Sequence, residues 1–280
     1  VKFMALFRRR KSSPKKSSLF KRGFMLLLLA LLLDAAYLWW LMPDWDELAK
    51  GATPKSAFIE EYEEQRAEDD KLPKLRWKPV PLSSISKSMR RAVIVAEDSR
   101  FYEHEGVDVA ALQDAWEYNL EHHKLGFGGS TLSQQLAKNL FLTPSRNPLR
   151  KWHEVWLTLI MEQQLSKRRI LELYLNVAEF GPGIYGVEAA SRKYWGISAS
   201  QLGVDQAVEL AATLPGPKSH NPSTRTKFFK NKVKKIKRHM RAGVVTPPAP
   251  AKEQAPVVEA APVPDSAPVP EPTPAPEPIQ

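Results

Sequence analysis

Residues 24 to 42, FMLLLLALLLDAAYLWWLM, hold a single charged side chain, Asp34. A helix needs roughly 20 predominantly apolar residues to cross a hydrocarbon core of about 30 Å, so this run divides the chain at a membrane before any other feature is weighed. The segment ahead of it, VKFMALFRRRKSSPKKSSLFKRG, is dense in lysine and arginine and has no acid. Basic flanks stay on the cytoplasmic side. The expectation is a basic cytoplasmic segment over 1–23, a transmembrane anchor over 24–42, and everything after Met42 outside. Tyr37, Trp39 and Trp40 fall where an aromatic belt meets the outer interface. No small-x-small cleavage site follows the run, which favours a retained single-pass anchor over a cleaved signal peptide.

A chain of 280 residues has room for one sizeable core plus appendages. Residues 43–79 mix charges with scattered apolar side chains and read as a juxtamembrane connection, helical in part. From 80 to 243 the pattern is that of a mainly α domain. Ile85, Met89, Ala92, Val93 and Ala96 recur at helical spacing and lead into Glu97. Thr131, with Gln134 three residues on, reads as a capping box ahead of a Leu132, Leu136, Leu140 stripe. Asn147 and Pro148 read as the N-cap and first position of a helix whose Leu149, Trp152, Trp156 and Leu159 share a face, and Ser166 reads as the cap of KRRILELYLN. FGPGIYG, 180 to 186, interrupts the helical pattern. Two further helices, VEAASRKYWG and DQAVELAATL, follow, the second stopped by PGP at 215 to 217. No strand alternation of any strength is visible. Residues 244–280, rich in proline and alanine with almost no large apolar side chain, cannot offset the entropy of folding and are expected to form a disordered tail.

The net charge of +10 favours anionic partners, and the absence of cysteine excludes disulfides and thiolate metal sites. The basic stretch KFFKNKVKKIKRHMR, 227 to 241, sets Phe228, Phe229, Val233, Ile236 and Met240 to one side. Beyond an outward-facing anchor no nucleic acid is expected. The segment is expected to pack its apolar stripe on the domain and turn its cations towards headgroups or a lipid diphosphate.

Three clusters are candidates for chemistry. In AEDSRFYEHEG, 96 to 106, Glu97 ends an apolar helix beside Asp98, ahead of a turn holding His104, Gly106 and Asp108. A carboxylate partly desolvated next to another negative charge has its pKa raised, which suits it to general base or acid work; His104 reads better as a turn-bonding residue than as a proton shuttle. In GGSTLSQQLAKNLF, 128 to 141, free backbone N–H groups and the hydroxyls of Ser130 and Thr131 open a helix that carries Lys138 and Asn139, an arrangement able to hold an anion. An ordinary capped amphipathic helix has the same pattern. In RNPLRKWHEVW, 146 to 156, Arg150 and Lys151 stand at i,i+4 and i,i+3 spacing from Glu154 and can share a helix face with it, with Arg146 just ahead. On a surface such a pair is worth well under about 1 kcal/mol; in a cleft the group could hold a diphosphate, directly and through a divalent ion on the carboxylate.

Taken in order, EDSRFYEHEGVD, GGSTLSQQLAKNLF, RKWHEVWLTLIMEQQLSKRRILELYLN, FGPGIYGVEAASRKYWG and AATLPGPKSHNP closely resemble the peptidoglycan glycosyltransferases, the domain shared by class A penicillin-binding proteins and the monofunctional biosynthetic transglycosylases. The resemblance covers roughly residues 80 to 222. It implies a lysozyme-like helical domain with a small membrane-proximal lobe, placed near 109–127. It implies a reaction in which the acceptor sugar's 4-hydroxyl, on lipid II, attacks the anomeric carbon of a polyprenyl-diphosphate-linked glycan with inversion. Glu97 and Glu154 would be the catalytic residues, Glu97 as the base. Lys138, Arg146, Arg150 and Glu154 would stabilise the departing diphosphate, with Glu154 holding Mg2+ or Mn2+. Substrate contacts would come from Asp98, Phe101, His104, Ser130, Thr131, Gln134, Gln135, Lys138, Asn139, Arg146, Arg150 and Lys151. The partners implied are lipid II, the growing glycan chain, the membrane and other cell wall synthesis and division proteins. The site would face the periplasm from the bacterial inner membrane.

Three other readings compete. A glycan hydrolase also uses carboxylates flanking the bond, but a neutral glycoside has no need of the cations near Glu154. A penicillin-binding acyl-enzyme finds S-x-x-K at Ser84 to Lys87, yet no K-T-G or S-D-N follows, so a monofunctional enzyme is expected. A non-catalytic scaffold is disfavoured by Glu97, Lys138 and Glu154 standing at the motif positions.

Overall fold

The computed structural model describes residues 15–122, 129–144 and 148–243. Arg146, Asn147 with its expected capping role, and the segment over 244–280 lie outside the described residues, as does the start of the basic segment over 1–14. The first element, α1 (Lys15–Trp40), contains the apolar run; over Phe20–Trp40 its mean hydropathy is 1.9 and none of it is buried by protein. One N-terminal helix of this length and composition is consistent with a single-pass anchor.

Residues 43–79, expected as a connection, contribute to the core. Asp44 caps α2 (Trp45–Lys50) and Ser56 caps α3 (Ala57–Glu68), each accepting backbone N–H groups of the first turn. Leu48, Ile59 and Tyr62 are buried from these helices. The chain then forms β1 (Arg76–Trp77), where Trp77 Nε1 donates to the Asn176 carbonyl at 2.9 Å. Spaced apolar residues among many charges gave no sustained stripe over 43–79, because α3 buries only Ile59 and Tyr62.

The domain centres on α4 (Lys87–Glu97), which Ser86 caps by accepting the Met89 N–H at 3.1 Å. Met89, Ala92, Val93, Ile94 and Val95 bury its inner face against α10 (Val204–Thr213), where Ala207, Ala211 and Ala212 allow close backbone approach. Next in the chain come α5 (Val109–His122), α6 (Leu132–Phe141), α7 (Pro148–Gln164) and α8 (Lys167–Val177), and α6 packs on both α7 and α8. FGPGIYG forms a hairpin of β2 (Glu179–Gly181) and β3 (Ile184–Tyr185), completing a sheet of order β1-β3-β2 in which β1 runs parallel and β2 antiparallel to β3. Strands of two or three residues are too short to show alternation. Helices α9 (Val187–Trp195) and α11 (Lys227–Arg241) close the described fold, α11 lying across α10 and α4.

Two helices turn apolar residues outward. Leu149, Trp152 and Trp156 of α7 are exposed, while His153, Glu154, Leu157 and Thr158 of the same helix are buried. Helix α5 exposes Val109, Leu112, Trp116 and Leu120. On α11, Phe229 and Ile236 reach the core as expected; Phe228 does not, and sits half-exposed with its ring 4.6 Å from that of His220.

Candidate active site

Most of the ionisable groups between 97 and 108 satisfy one another. Asp98 ends α4, and its carboxylate accepts from His104 Nε2 at 3.0 Å and from the Leu132 N–H, at the start of α6, at 2.9 Å. His104 Nδ1 accepts the Gly106 N–H at 3.2 Å, so the ring proton faces Asp98 from Nε2. Arg100 forks onto Asp108 at 2.8 and 2.9 Å, and Asp108 also accepts the Ala111 N–H at 2.8 Å. Burial pushes the Asp108 carboxyl up, but the Ala111 N–H and the Arg100 fork outweigh it and hold the carboxyl below its ordinary range. Gly106 has φ +92, and a Cβ there would come within 2.8 Å of Thr158 Cγ2, so the turn requires glycine on both counts.

Glu97 stands apart from this network. Its side chain is 12% exposed. Oε2 accepts from Gln135 Nε2 at 3.2 Å, and Gln135 Oε1 in turn accepts from the Tyr174 hydroxyl at 2.9 Å. Oε1 has no hydrogen-bond partner among the described residues; Lys232 Nζ of α11 lies 3.6 Å away, an ion-pair distance too long for a hydrogen bond. Burial raises the Glu97 pKa above its usual value; Lys232 and Gln135 offset this in part, and the Asp98 charge adds to it. The carboxylate lines a cavity of about 800 Å3 together with Arg100, Ser130, Gln135, Lys232 and His239.

A second charged group sits on α7. Glu154 is 4% exposed; Oε1 is paired with Lys151 Nζ, and Arg150 Nη1 lies 3.6 Å from Oε2. Lys151 Nζ is also 3.4 Å from Ser130 Oγ, on the rim of the Glu97 cavity. Lys138, facing from α6, has its pKa lowered by burial; Glu154 raises it, Arg150 and Lys151 lower it further, and Glu97 acts to raise it. Lys138 is therefore within electrostatic reach of both carboxylates. Glu154 is not among the described residues that line the cavity holding Glu97. The two acids are joined by α6, where Gln135 bonds Glu97 and Lys138, three residues on, interacts most with Glu154.

Several residues expected to meet substrate are occupied with structure. Phe101 is 0% exposed, packed at 5.0 Å on the Tyr102 ring beneath Lys167 Nζ; a fully buried ring has no surface for a ligand, and this corrects its expected role. Thr131 and Gln134 are buried and close the capping box of α6, both of whose bonds are present. His104 and Asp98 brace the turn. Asn139 is half-buried one residue beyond Lys138. Ser130 and Gln135 line the Glu97 cavity, and Arg150, Lys151 and Lys138 gather near Glu154. Tyr174 and Lys232 were not singled out from the sequence. One reads as a stripe residue of α8, the other as one lysine among many in a basic helix.

Asp98, His104 and Asp108 bring possible ligand atoms within 4.8 Å of one another and could hold a metal ion. At Glu154 both oxygens face cations, and it belongs to no cluster of three or more possible ligand residues among the described residues.

The family described as Transglycosylase matches residues 67–241. A biosynthetic peptidoglycan transglycosylase of Thiobacillus denitrificans is 46% identical over 207 residues, covering 74% of this chain and 85% of the relative. One from Nitrosospira multiformis is 46% identical over 181 residues, 65% of this chain and 79% of its own length. One from Bordetella pertussis is 43% identical over 190 residues, 66% of this chain and 78% of its own length.

Proposed function

Given that the chain belongs to the transglycosylase family and is a peptidoglycan glycosyltransferase of cell wall synthesis, we propose that Glu97 is its general base and that Lys138, Arg150 and Lys151 receive the leaving diphosphate. The observation that supports this reading is the state of the Glu97 carboxylate. One oxygen is held by Gln135 while the other is buried without a hydrogen bond among the described residues, and Glu97 lines a cavity large enough for a sugar acceptor. As the acceptor 4-hydroxyl oxygen bonds to the anomeric carbon, its proton passes to the Glu97 carboxylate. The bond from that carbon to the diphosphate oxygen breaks, and the electron pair leaves with the diphosphate. Lys138, Arg150 and Lys151 stabilise that charge. Glu154 keeps three cations together that would otherwise repel one another. Arg146, expected beside them, lies outside the described residues.

Lys232 has a separate task. Its charge favours the ionised form of Glu97 and so works against the rise that burial imposes on its pKa. The Mg2+ or Mn2+ expected at Glu154 meets a carboxylate already paired with cations, and no step is assigned to it. The substrates are lipid II and the growing glycan chain. With the basic flank cytoplasmic, the domain stands outside the inner membrane. The outward apolar side chains of α5 and α7 then rest against lipid, where a polyprenyl diphosphate presents itself. Wall-synthesis and division proteins are the partners proposed for the surface left in water.

The deciding experiment is polymerisation of labelled lipid II by the full chain in liposomes. Glu97→Gln should lose at least about a thousandfold in rate, in keeping with removal of a general base in a preorganised site, with its melting temperature unchanged. Polymer at more than a few per cent of the normal rate would remove Glu97 from this role.

A further inference from the structure

An acid in a membrane-spanning helix is costly unless it is paired, and such residues commonly carry function. Asp34 lies eight positions before Met42, about 12 Å along the helix from the end of the apolar run, at a depth where a plain tether has no use for a charge. It meets α7. Asp34 Oδ1 is 2.6 Å from His153 Nε2, and Oδ2 accepts from Trp152 Nε1 at 3.2 Å. Tyr37, one turn on, sets its ring 5.1 Å from the His153 ring. The pair is sheltered, with the Asp34 side chain 26% and the His153 side chain 10% exposed. Helix α1 belongs to the same compact unit as the domain, although its lipid-facing length is unburied.

What α1 grips is the turn of α7 that carries the diphosphate cations. His153 is the residue before Glu154, and Arg150 and Lys151 lie within one turn of it. We propose that Asp34 is a positioning residue: through His153 it fixes the rotation and membrane depth of α7, and so holds Arg150, Lys151 and Glu154 where the diphosphate of a membrane-borne substrate leaves. The anchor is then part of the catalytic unit. The inference rests on the role given above to those three side chains, but the contact itself is tested without reference to activity.

The sequence has no cysteine, so the contact can be probed without background. In the full chain in liposomes, Asp34→Cys with His153→Cys should form an intramolecular disulfide under mild oxidation. Leu32→Cys with His153→Cys, starting from a side chain that is 60% exposed, should not. For function, Asp34→Leu should lower kcat for lipid II polymerisation about tenfold, the size of effect that small misplacements produce, with KM changed less than about threefold. Asp34→Asn, which can still accept from the imidazole N–H, should keep at least half the rate. The exchange of Asp34→His with His153→Asp should recover most of what either single change loses. No cross-link at 34 and 153, or Asp34→Leu with unaltered kcat, overturns the proposal; so does a loss confined to KM, which would mark a tether. If the cross-link forms but Arg150→Gln, Lys151→Gln and Glu154→Gln all keep full rate, the positioning role is refuted, even though Glu97→Gln would still report the base correctly.

Discussion

Tyr174 decides which way the Gln135 amide points. Its hydroxyl can donate to Oε1 only if Nε2 faces Glu97, so the tyrosine orients a donor onto the base. Tyr174→Phe releases the amide to turn its oxygen towards the carboxylate, which would raise the Glu97 pKa further. The base must be ionised to accept a proton, so the acid limb of the kcat/KM profile should move to higher pH and the rate at neutral pH should fall about tenfold. Stability should change by only about 1 kcal/mol, the net worth of one hydrogen bond; an unmoved acid limb would refute the orienting role. Glu179 offers a second titration, remote from the reaction. Burial raises its pKa from 4.5 to about 7, Lys218 offsetting little, and one oxygen has no partner among the described residues. The folded chain therefore holds this proton where the unfolded chain has released it. Stability should fall as pH rises from about 4.5 through about 7, by up to about 3 kcal/mol. Glu179→Gln should flatten that slope in denaturant titrations at pH 5 and pH 8.

At the scale of elements, α6 links the two halves of the site. Its N-terminus is held by the Thr131 side chain, which accepts the Gln134 N–H at 3.1 Å and donates to the Gly106 carbonyl at 2.5 Å, and by Asp98 at the Leu132 N–H. The same helix presents Gln135 to Glu97 and Lys138 to the α7 cations. Thr131→Ala should cost about 1–2 kcal/mol in chemical denaturation, and the rate should fall with it because both charged groups lose register. Thr131→Ser keeps both bonds and should remain within about 0.5 kcal/mol. The capping box was readable from Thr131 and Gln134 because its partners are three residues apart. The outward turn of Leu149, Trp152 and Trp156 was not. Periodicity places residues on a common face but does not say whether protein or lipid covers it.

For the whole molecule, the region upstream of residue 80 is part of the folding unit. Tyr62 donates to the Pro73 carbonyl at 2.7 Å, Asn176 exchanges hydrogen bonds with Val80 at 2.8 and 2.9 Å, and β1 pairs with β3. A chain beginning at residue 80 loses Leu48, Ile59 and Tyr62 from the core and should show no cooperative thermal transition. A chain beginning at residue 43 keeps them and should unfold cooperatively in detergent, with polymerisation reduced to the level of Asp34→Leu. A cooperative melt from the shorter chain would show these residues to be dispensable.

What the amino-acid order determined by itself is what short-range physics controls: an apolar run long enough to span a bilayer, the caps and stripes of the helices, and a motif series that led to Glu97 and to the α7 cations. What only the tertiary structure decided are the pairings between distant positions. Lys232 reaches Glu97 from α11, Tyr174 reaches it through Gln135, and Asp34 meets His153 across 119 positions. Phe101, about four positions from Glu97 in sequence, is turned into the core. Caps and periodic faces depend on neighbours within a turn or two, whereas the burial that raises the pKa of Glu97 and the cation that tempers it exist only once the helices have packed.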